Sequence, residues 1–411
     1  MLAVLVPLFD EDMAVSAYSV FTQKNNYLLN PAMLGTGQND GASNVAGLEL
    51  IRKVGLEALS QDKEVFVPMT NISIFADVEN QCDAPHEKIV FLFDNTIPPI
   101  DMYVERLKQL KQMGYKLAIR KLVVSEFESY RSVLTLMDYV LLNNRKIAID
   151  KAKIYFGALY PNAKLCAGSI TDKSIFENLR ESGGYSLFEG SFYRMPLTKG
   201  NSHVAPLKIN YIELLNIVNE SDFDLQKAAS VIGRDTALTI SLLQIVNRMT
   251  INSGITSIRH AAAMLGQREL KRWINTAVLK ELYADKPSEL TRLSLIRARF
   301  AENLAQHFDL MGRKEELFLM GLFSVLDVIL EKPMSEALTW MKVSGDIFKA
   351  LAERSGQLYP IMYFMMQYED ANWQEVSRLM FLSDISMDEI QEAYLDALCW
   401  YRDLVTDRET K

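Results

Sequence analysis

The sequence is poor in the residues on which most metal and thiol chemistry depends. In 411 residues it has three cysteines, Cys82, Cys166 and Cys399, and four histidines, His86, His203, His260 and His307. An odd cysteine count with no Cys-x-x-Cys pair argues against a disulfide framework or a thiolate zinc site. Buried free thiols in a reducing compartment are expected instead. No His-Asp dipeptide occurs, so a histidine-based metal hydrolase has no ligand set to build on. Basic excess is missing too. Residues 1–200 carry 21 basic and 23 acidic groups, a balance of −2, and residues 201–411 carry 23 and 29, a balance of −6. Neither half offers the positive field that a phosphate backbone needs, so nucleic acid is not an expected partner. No apolar run approaches the roughly 18 residues of a membrane span, and membrane insertion is not expected. The start, MLAVLVPLFDEDM, lacks a basic n-region and soon meets three acids, so it does not read as a signal peptide. A cytoplasmic protein follows.

What is present is an alternation of strand and helix patterns up to about residue 200. Residues 18–29 read as a hairpin around Lys24-Asn25-Asn26. Helices are expected at 44–59, 101–113, 126–136, 146–156 and 172–182. Strands are expected at 64–69, 88–94, 116–123, 138–142, 164–167 and 185–188. The run KIVFLFD at 88–94 is apolar throughout, as a strand buried on both faces would be. Such a series of βα units predicts a parallel sheet or barrel, with the hairpin as a departure from a simple one. The loop from Gly35 to Gly41 is Gly-rich, but no strand–turn–helix frames it as a phosphate site.

Past Gly200 the strand signals nearly vanish. Asp224 and Asp235 are set to cap helices 225–232 and 236–248. Helices follow at 257–266, 268–283, 288–308, 313–331, 333–340, 344–354, 358–368, 372–382 and 387–405. Ser386 and Glu389 have capping-box spacing. The chain is therefore expected to divide into a barrel domain at 1–200 and a helical domain at 201–411, with a boundary near 198–206. The Met- and Tyr-rich run LYPIMYFMMQY at 358–368 reads as core, with an adaptable partner surface as the alternative.

The strand Lys116–Val124 ends in two cations, Arg120 and Lys121. In parallel α/β folds ligands bind at that end of the strands. Mg²⁺ or Mn²⁺ would need carboxylates there, whereas cations suit phosphates or other anions.

Ordered motifs in the C-terminal half resemble the HDOD domain, a helical relative of the HD phosphohydrolases without their metal ligands. They are Ile232-Gly233-Arg234-Asp235-Thr236-Ala237-Leu238, Leu242-Leu243-Gln244-Ile245-Val246-Asn247, Ile258-Arg259-His260-Ala261, Glu269-Leu270-Lys271-Arg272-Trp273 and Leu319-Met320-Gly321-Leu322-Phe323-Ser324-Val325-Leu326-Asp327. The N-terminal half is similar to the EAL domain that precedes HDOD in a bacterial family of two-domain signalling proteins. Its pieces are Phe66-Val67-Pro68-Met69-Thr70, Ile89-Val90-Phe91-Leu92-Phe93, Gly114-Tyr115-Lys116-Leu117-Ala118, Asp138-Tyr139-Val140 and Phe188-Glu189-Gly190. The resemblance implies a modified (β/α)₈ barrel with one antiparallel strand, and descent from metal-dependent phosphodiesterases that open cyclic di-GMP.

The same resemblance implies that the active site has been lost. The Glu of the Glu-x-Leu signature falls near Pro31, the metal-binding Asn near Pro68, and the next metal-binding Glu at Phe91. The aspartate pair falls at Arg120 and Lys121, the catalytic Lys near Leu141, the late Glu near Gly168, and the final Gln at Glu189. Proline, phenylalanine, leucine and glycine side chains offer no metal donor. The expectation is a pseudoenzyme without a cofactor, working through other signalling proteins such as a kinase or response regulator, with homodimerisation left open. Cyclic di-GMP binding is not expected. The alternative is a sensor that binds a nucleotide or other anion at Arg120 and Lys121.

Overall fold

The computed structural model describes residues 1–24, 44–194, 206–220, 223–235, 238–240, 242–243, 246, 258–282, 288–341 and 343–406. The chain forms two compact units.

The first unit is built on a closed eight-stranded barrel in the order β1 to β8. The strands are β1 (Leu2–Phe9), β2 (Val15–Gln23), β3 (Glu64–Pro68), β4 (Ile89–Phe93), β5 (Lys116–Arg120), β6 (Tyr139–Asn143), β7 (Lys164–Ile170) and β8 (Leu187–Gly190). Strands β2 to β8 are parallel, and β1 runs antiparallel to both of its neighbours. The antiparallel strand is the one the resemblance implies, but its place differs from the reading of the sequence. The described hairpin is β1–β2, with its turn at Asp10–Ala14; the turn expected at Lys24–Asn26 runs outside the described residues. The Asp10 carboxylate accepts from the amides of Asp12 (3.0 Å) and Ala14 (2.9 Å), and Met13 takes up a left-handed φ of 61°. The apolar start of the chain is therefore a barrel strand. The run after Lys24 lies outside the described residues.

The barrel interior is a packed core of Leu8, Ala17, Phe66, Val90, Leu92, Ala118, Tyr139, Leu141, Cys166 and Leu187. Alternation along each strand decides which residues enter it. Between the strands run helices Ala46–Val54, Asp101–Gln112, Ile149–Leu159 and Lys173–Ser182. The expected helix at 126–136 is only a 3₁₀ turn, Val124–Glu126, and one short helix, Arg131–Leu134. Glu126 folds back to accept from the Val123 amide (2.9 Å), which consumes the segment in a turn.

The compact units divide the chain differently from the expected 1–200 and 201–411. The barrel unit also takes in Ile296–Phe318 and Pro360–Lys411, and the second unit comprises Pro196–Leu295 and Leu319–Tyr359. A seam in the sheet is the physical reason. Strand β1 pairs with β8 only at Leu8–Glu189 and Phe9–Phe188. The remaining edge of β1 would expose unpaired backbone groups. The hydroxyl of Tyr368, fully buried, accepts from the Ala3 amide (3.2 Å) and donates to the Ala3 carbonyl (2.8 Å). Gln23 on β2 donates to Ser377 (3.0 Å). Arg194 and Arg297 both clasp Glu369, with Arg297 forming two bonds of 2.7 and 2.6 Å. The helix Tyr359–Glu369 thus buries Ile361, Met362, Phe364, Met365 and Tyr368 as core, which settles the Met- and Tyr-rich run.

The second unit is helical. Helices Pro206–Val218, Leu225–Ile232 and Ile258–Leu282 bury Leu214, Leu215, Val218, Ile232, Leu270 and Ile274. Asp224 caps its helix through the amide of Gln226 (2.7 Å), and Asp235 accepts from the amide of Leu238 (2.9 Å). Gly266, at φ 73°, breaks the long helix where two were expected. The expected helix 313–331 is likewise two, Lys314–Phe323 and Leu326–Leu330. In this unit Glu289 and Arg292 form an ion pair of 3.0 Å with side chains 4 and 7% exposed.

Candidate functional site

The parallel strands β2 to β8 place their C-terminal ends on one rim of the barrel, the rim at which this architecture carries its chemistry. Each strand contributes its last inward position. Strand β3 offers Pro68, level with Leu92 on β4. Strand β5 offers Arg120, level with Leu141 on β6. Strand β7 offers Gly168, level with Asn143, and β8 offers Glu189.

One placement drawn from the sequence needs correction. Phe91 faces away from the interior: its ring packs on Tyr115 at 4.6 Å, outside the barrel. The inward residues of β4 are its neighbours Val90 and Leu92. A uniformly apolar strand carries no alternation from which facing can be read, so the sequence could not place it. Leu92 is no better a metal donor than Phe91. Pro31 lies outside the described residues.

Arg120 is half-buried, with its guanidinium carbon 5.0 Å from the centre of the Phe21 ring on β2. Burial lowers the pKa of Arg120, against the attraction of Glu189 and Asp94. Glu189 is its counterpart across the rim. Burial pushes the Glu189 carboxyl above the usual range, and the positive charge of Arg120 pulls in the other direction without cancelling the effect. The carboxylate sits at a place where the backbone admits no alternative in the next residue. A Cβ on Gly190 would lie 1.9 Å from the Ile170 carbonyl oxygen, so only glycine fits.

Lys121 turns out of the strand with a left-handed φ of 64° and binds Asp94 at 2.8 Å. Desolvation works against the Asp94 charge. The Lys121 ammonium and the hydroxyl and amide of Thr96 outweigh it and leave the carboxyl below the usual range. The two cations expected to act together are therefore separated. Arg120 faces the interior, and Lys121 is spent on Asp94 at the rim.

The metal that the EAL resemblance implies does not fit this donor set. The acidic groups beside Arg120 and Lys121 are Glu189 and Asp94, and each faces a cation. Among the described residues no three His, Cys, Asp or Glu side chains are grouped to hold a metal ion. Of the histidines, His86 stacks on Tyr115 and donates from Nδ1 to the Met113 carbonyl at 2.7 Å, and His260 is exposed. His307 stands 3.8 Å from Glu389, and His203 lies outside the described residues. Cys82 and Cys166 are buried free thiols and Cys399 is half-buried. Burial pushes the Cys166 thiol well up, which makes it inert. No helix among the described residues is long and apolar enough to cross a membrane.

The HDOD domain family model matches residues 205–339. The helical region therefore carries an HDOD domain, which begins near the expected boundary at 198–206 and ends well short of 411. Among individual proteins, the cyclic di-GMP phosphodiesterase CdgJ of Vibrio cholerae is 28% identical over 325 residues, 78% of this chain and 74% of that one. The uncharacterized protein YuxH of Bacillus subtilis is 25% identical over 409 residues, 97% of each chain. A solved structure, the Bacillus subtilis YkuI protein with an EAL domain in complex with cyclic di-GMP and calcium, aligns at 14% identity. It covers 66% of this chain and 73% of its own, with a TM-score of 0.35.

Proposed function

We propose that this chain is a non-catalytic signalling protein. On this reading its barrel is a degenerate relative of the EAL phosphodiesterases, and both units act as binding surfaces for other signalling proteins, a kinase or response regulator among them, in the cytoplasm. The observation that supports the reading is the inward rim of the barrel: the side chains of Pro68, Leu92, Leu141 and Gly168, at or beside positions to which the EAL resemblance assigns metal ligands and a lysine, are no metal donors. Among the described residues no three His, Cys, Asp or Glu side chains are grouped there to hold a metal that would activate water. The test is direct because the relative in Vibrio cholerae bears the name of a cyclic di-GMP phosphodiesterase. Pure full-length protein with cyclic di-GMP and Mg²⁺ or Mn²⁺ should release no linear dinucleotide by chromatography. Turnover proportional to protein concentration overturns the reading.

A second reading, a sensor for a nucleotide or other anion, is favoured by Arg120 alone. Its guanidinium is half-buried at the rim and partly balanced by Glu189. The ion pair of Lys121 with Asp94 weakens this reading, since it takes one of the two expected cations away from a phosphate. Titration calorimetry with cyclic di-GMP and a nucleotide panel decides it. Heat that disappears in Arg120→Ala supports a sensor, and no heat at millimolar ligand removes it.

A further inference from the structure

Three consecutive connections on the C-terminal rim, those after β3, β4 and β5, leave large apolar side chains in solvent. Ile72 and Phe75 follow β3, Ile100 and Met102 follow β4, and Val123 and Val124 follow β5. Their exposures run from 39 to 61%. The connections are locked to one another. The Phe75 ring packs on Tyr103 at 5.1 Å, and Arg106 donates to the carbonyls of Ile74 (2.9 Å) and Ala76 (2.7 Å). Lys121 binds Asp94, Asn95 donates to Glu126 (3.3 Å), and the Tyr130 hydroxyl donates to the Asn95 carbonyl (2.9 Å). Fixed apolar side chains in water mark binding surfaces more often than isolated ones do.

Charge says what kind of partner covers them. The cations of this region are engaged: Lys121 with Asp94, Lys108 with Glu105, and Arg106 with backbone carbonyls. Arg131, on the short helix that follows, is exposed. Asp77, Glu79, Asp101 and Glu128 are exposed and have no ion-pair partner among the described residues. The uncompensated charge around the apolar side chains is negative. A symmetric contact between two copies would set these acids against themselves, which like charges penalise.

We propose that the connections after β3, β4 and β5 form a docking surface for a basic amphipathic segment of a partner protein. Its apolar side chains cover Ile72, Phe75, Ile100, Met102 and Val124, and its Lys or Arg residues meet Asp77, Asp101 and Glu128. Such segments bind by laying one apolar stripe on a fixed surface while charge sets orientation and approach. The inference rests on the reading that this chain works through protein partners, and it names the surface.

The experiment uses the full chain in its own cells, with the photo-crosslinker p-benzoylphenylalanine placed at position 102 or 124. Position 154, whose isoleucine is 75% exposed on the helix Ile149–Leu159, is the control. Light should yield a protein adduct at 102 and 124 and none at 154. The adducted peptide should carry several Lys or Arg residues, and Asp101→Lys with Glu128→Lys should cut its yield by about tenfold. Glu181→Lys, an exposed charge on another helix, should leave the yield unchanged. A dimer of this chain, a lipid adduct, an acidic peptide, or no adduct at 102 and 124 overturns the proposal. Adducts confined to crosslinkers within 206–341 overturn this surface and keep the partner-binding reading. Turnover of cyclic di-GMP strikes the non-catalytic reading and leaves the adducts standing.

Discussion

The two ends of the barrel handle buried charge in opposite ways. At the N-terminal end Glu64 is held directly by the Lys116 ammonium and by the Tyr139 hydroxyl at 2.7 Å, with Lys164 5.5 Å from the Tyr139 ring centre. Burial, with the hydrogen bond to Glu64, pushes the Tyr139 phenol far up, so it stays a donor. At the C-terminal end Arg120 and Glu189 attract each other without closing an ion pair among the described residues, and burial raises the Glu189 carboxyl. A closed network holds the fold together. An open one costs stability and persists where the backbone geometry or a binding role requires it. The C-terminal end thus keeps a loosely matched pair of charges where the other end closes its network.

The largest effect should come from the seam that both ends share. Deleting residues 359–411 removes the cover of β1, and the remaining chain should fail to give a cooperative thermal transition. A folded, monomeric barrel from residues 1–200 alone would remove the argument for the shared unit. The milder change Tyr368→Phe leaves the Ala3 amide and carbonyl buried and unpaired, at a cost of about 2–4 kcal/mol in urea denaturation.

Next in size is the closed end. Tyr139→Phe removes a hydrogen bond to a carboxylate and should cost about 1.5–3 kcal/mol. A smaller loss than that from a change at the open end would reverse the comparison.

The open end should respond with the opposite sign. The Glu189 carboxyl titrates higher in the folded chain than in the unfolded one. Its contribution is most favourable below the unfolded pKa, about 4.3, and is lost as pH rises through the folded value. Glu189→Gln should therefore be more stable than wild type at pH 7, with the gap closing on acidification. Asp94 behaves conversely. Its carboxyl is lowered, so its contribution is present at pH 7 and lost as pH falls through the folded pKa. Asp94→Asn should be less stable than wild type at pH 7 and equal to it in acid. Denaturation midpoints across pH 3–8 test both.

The smallest expected effect is none. Arg120→Asp with Lys121→Asp restores two carboxylates and should give no hydrolysis of cyclic di-GMP, because Pro68, Leu92, Leu141 and Gly168 still offer no donor. Activity from that pair alone would mean the other positions are misplaced.

Much of the barrel was legible because its strands are short apolar runs separated by helical patterns. The Ser386–Glu389 capping box was legible for the same local reason, and it forms through bonds of 2.8 and 3.3 Å. The turn at Asp10 carries no Gly or Asn to mark it in the sequence, and its carboxylate closes it by accepting from the amides of Asp12 and Ala14. That segments 296–318 and 360–411 join the barrel's compact unit is not legible in the sequence, because their helices carry no local mark of the surface they cover.

By itself, then, the sequence determined the alternation that builds a parallel barrel, the helical half with its HDOD motifs, and the two cations at the end of β5. Those are properties of neighbouring residues, set by periodicity, capping and side-chain chemistry. Tertiary structure decided that Leu92 and not Phe91 faces the interior. It also decided that Lys121 answers Asp94 while Arg120 faces Glu189, and that Tyr368 seals the edge of Ala3 from 365 residues away. Facing, charge pairing and edge cover depend on closure of the sheet, which brings together residues whose separation along the chain carries no trace of the contact.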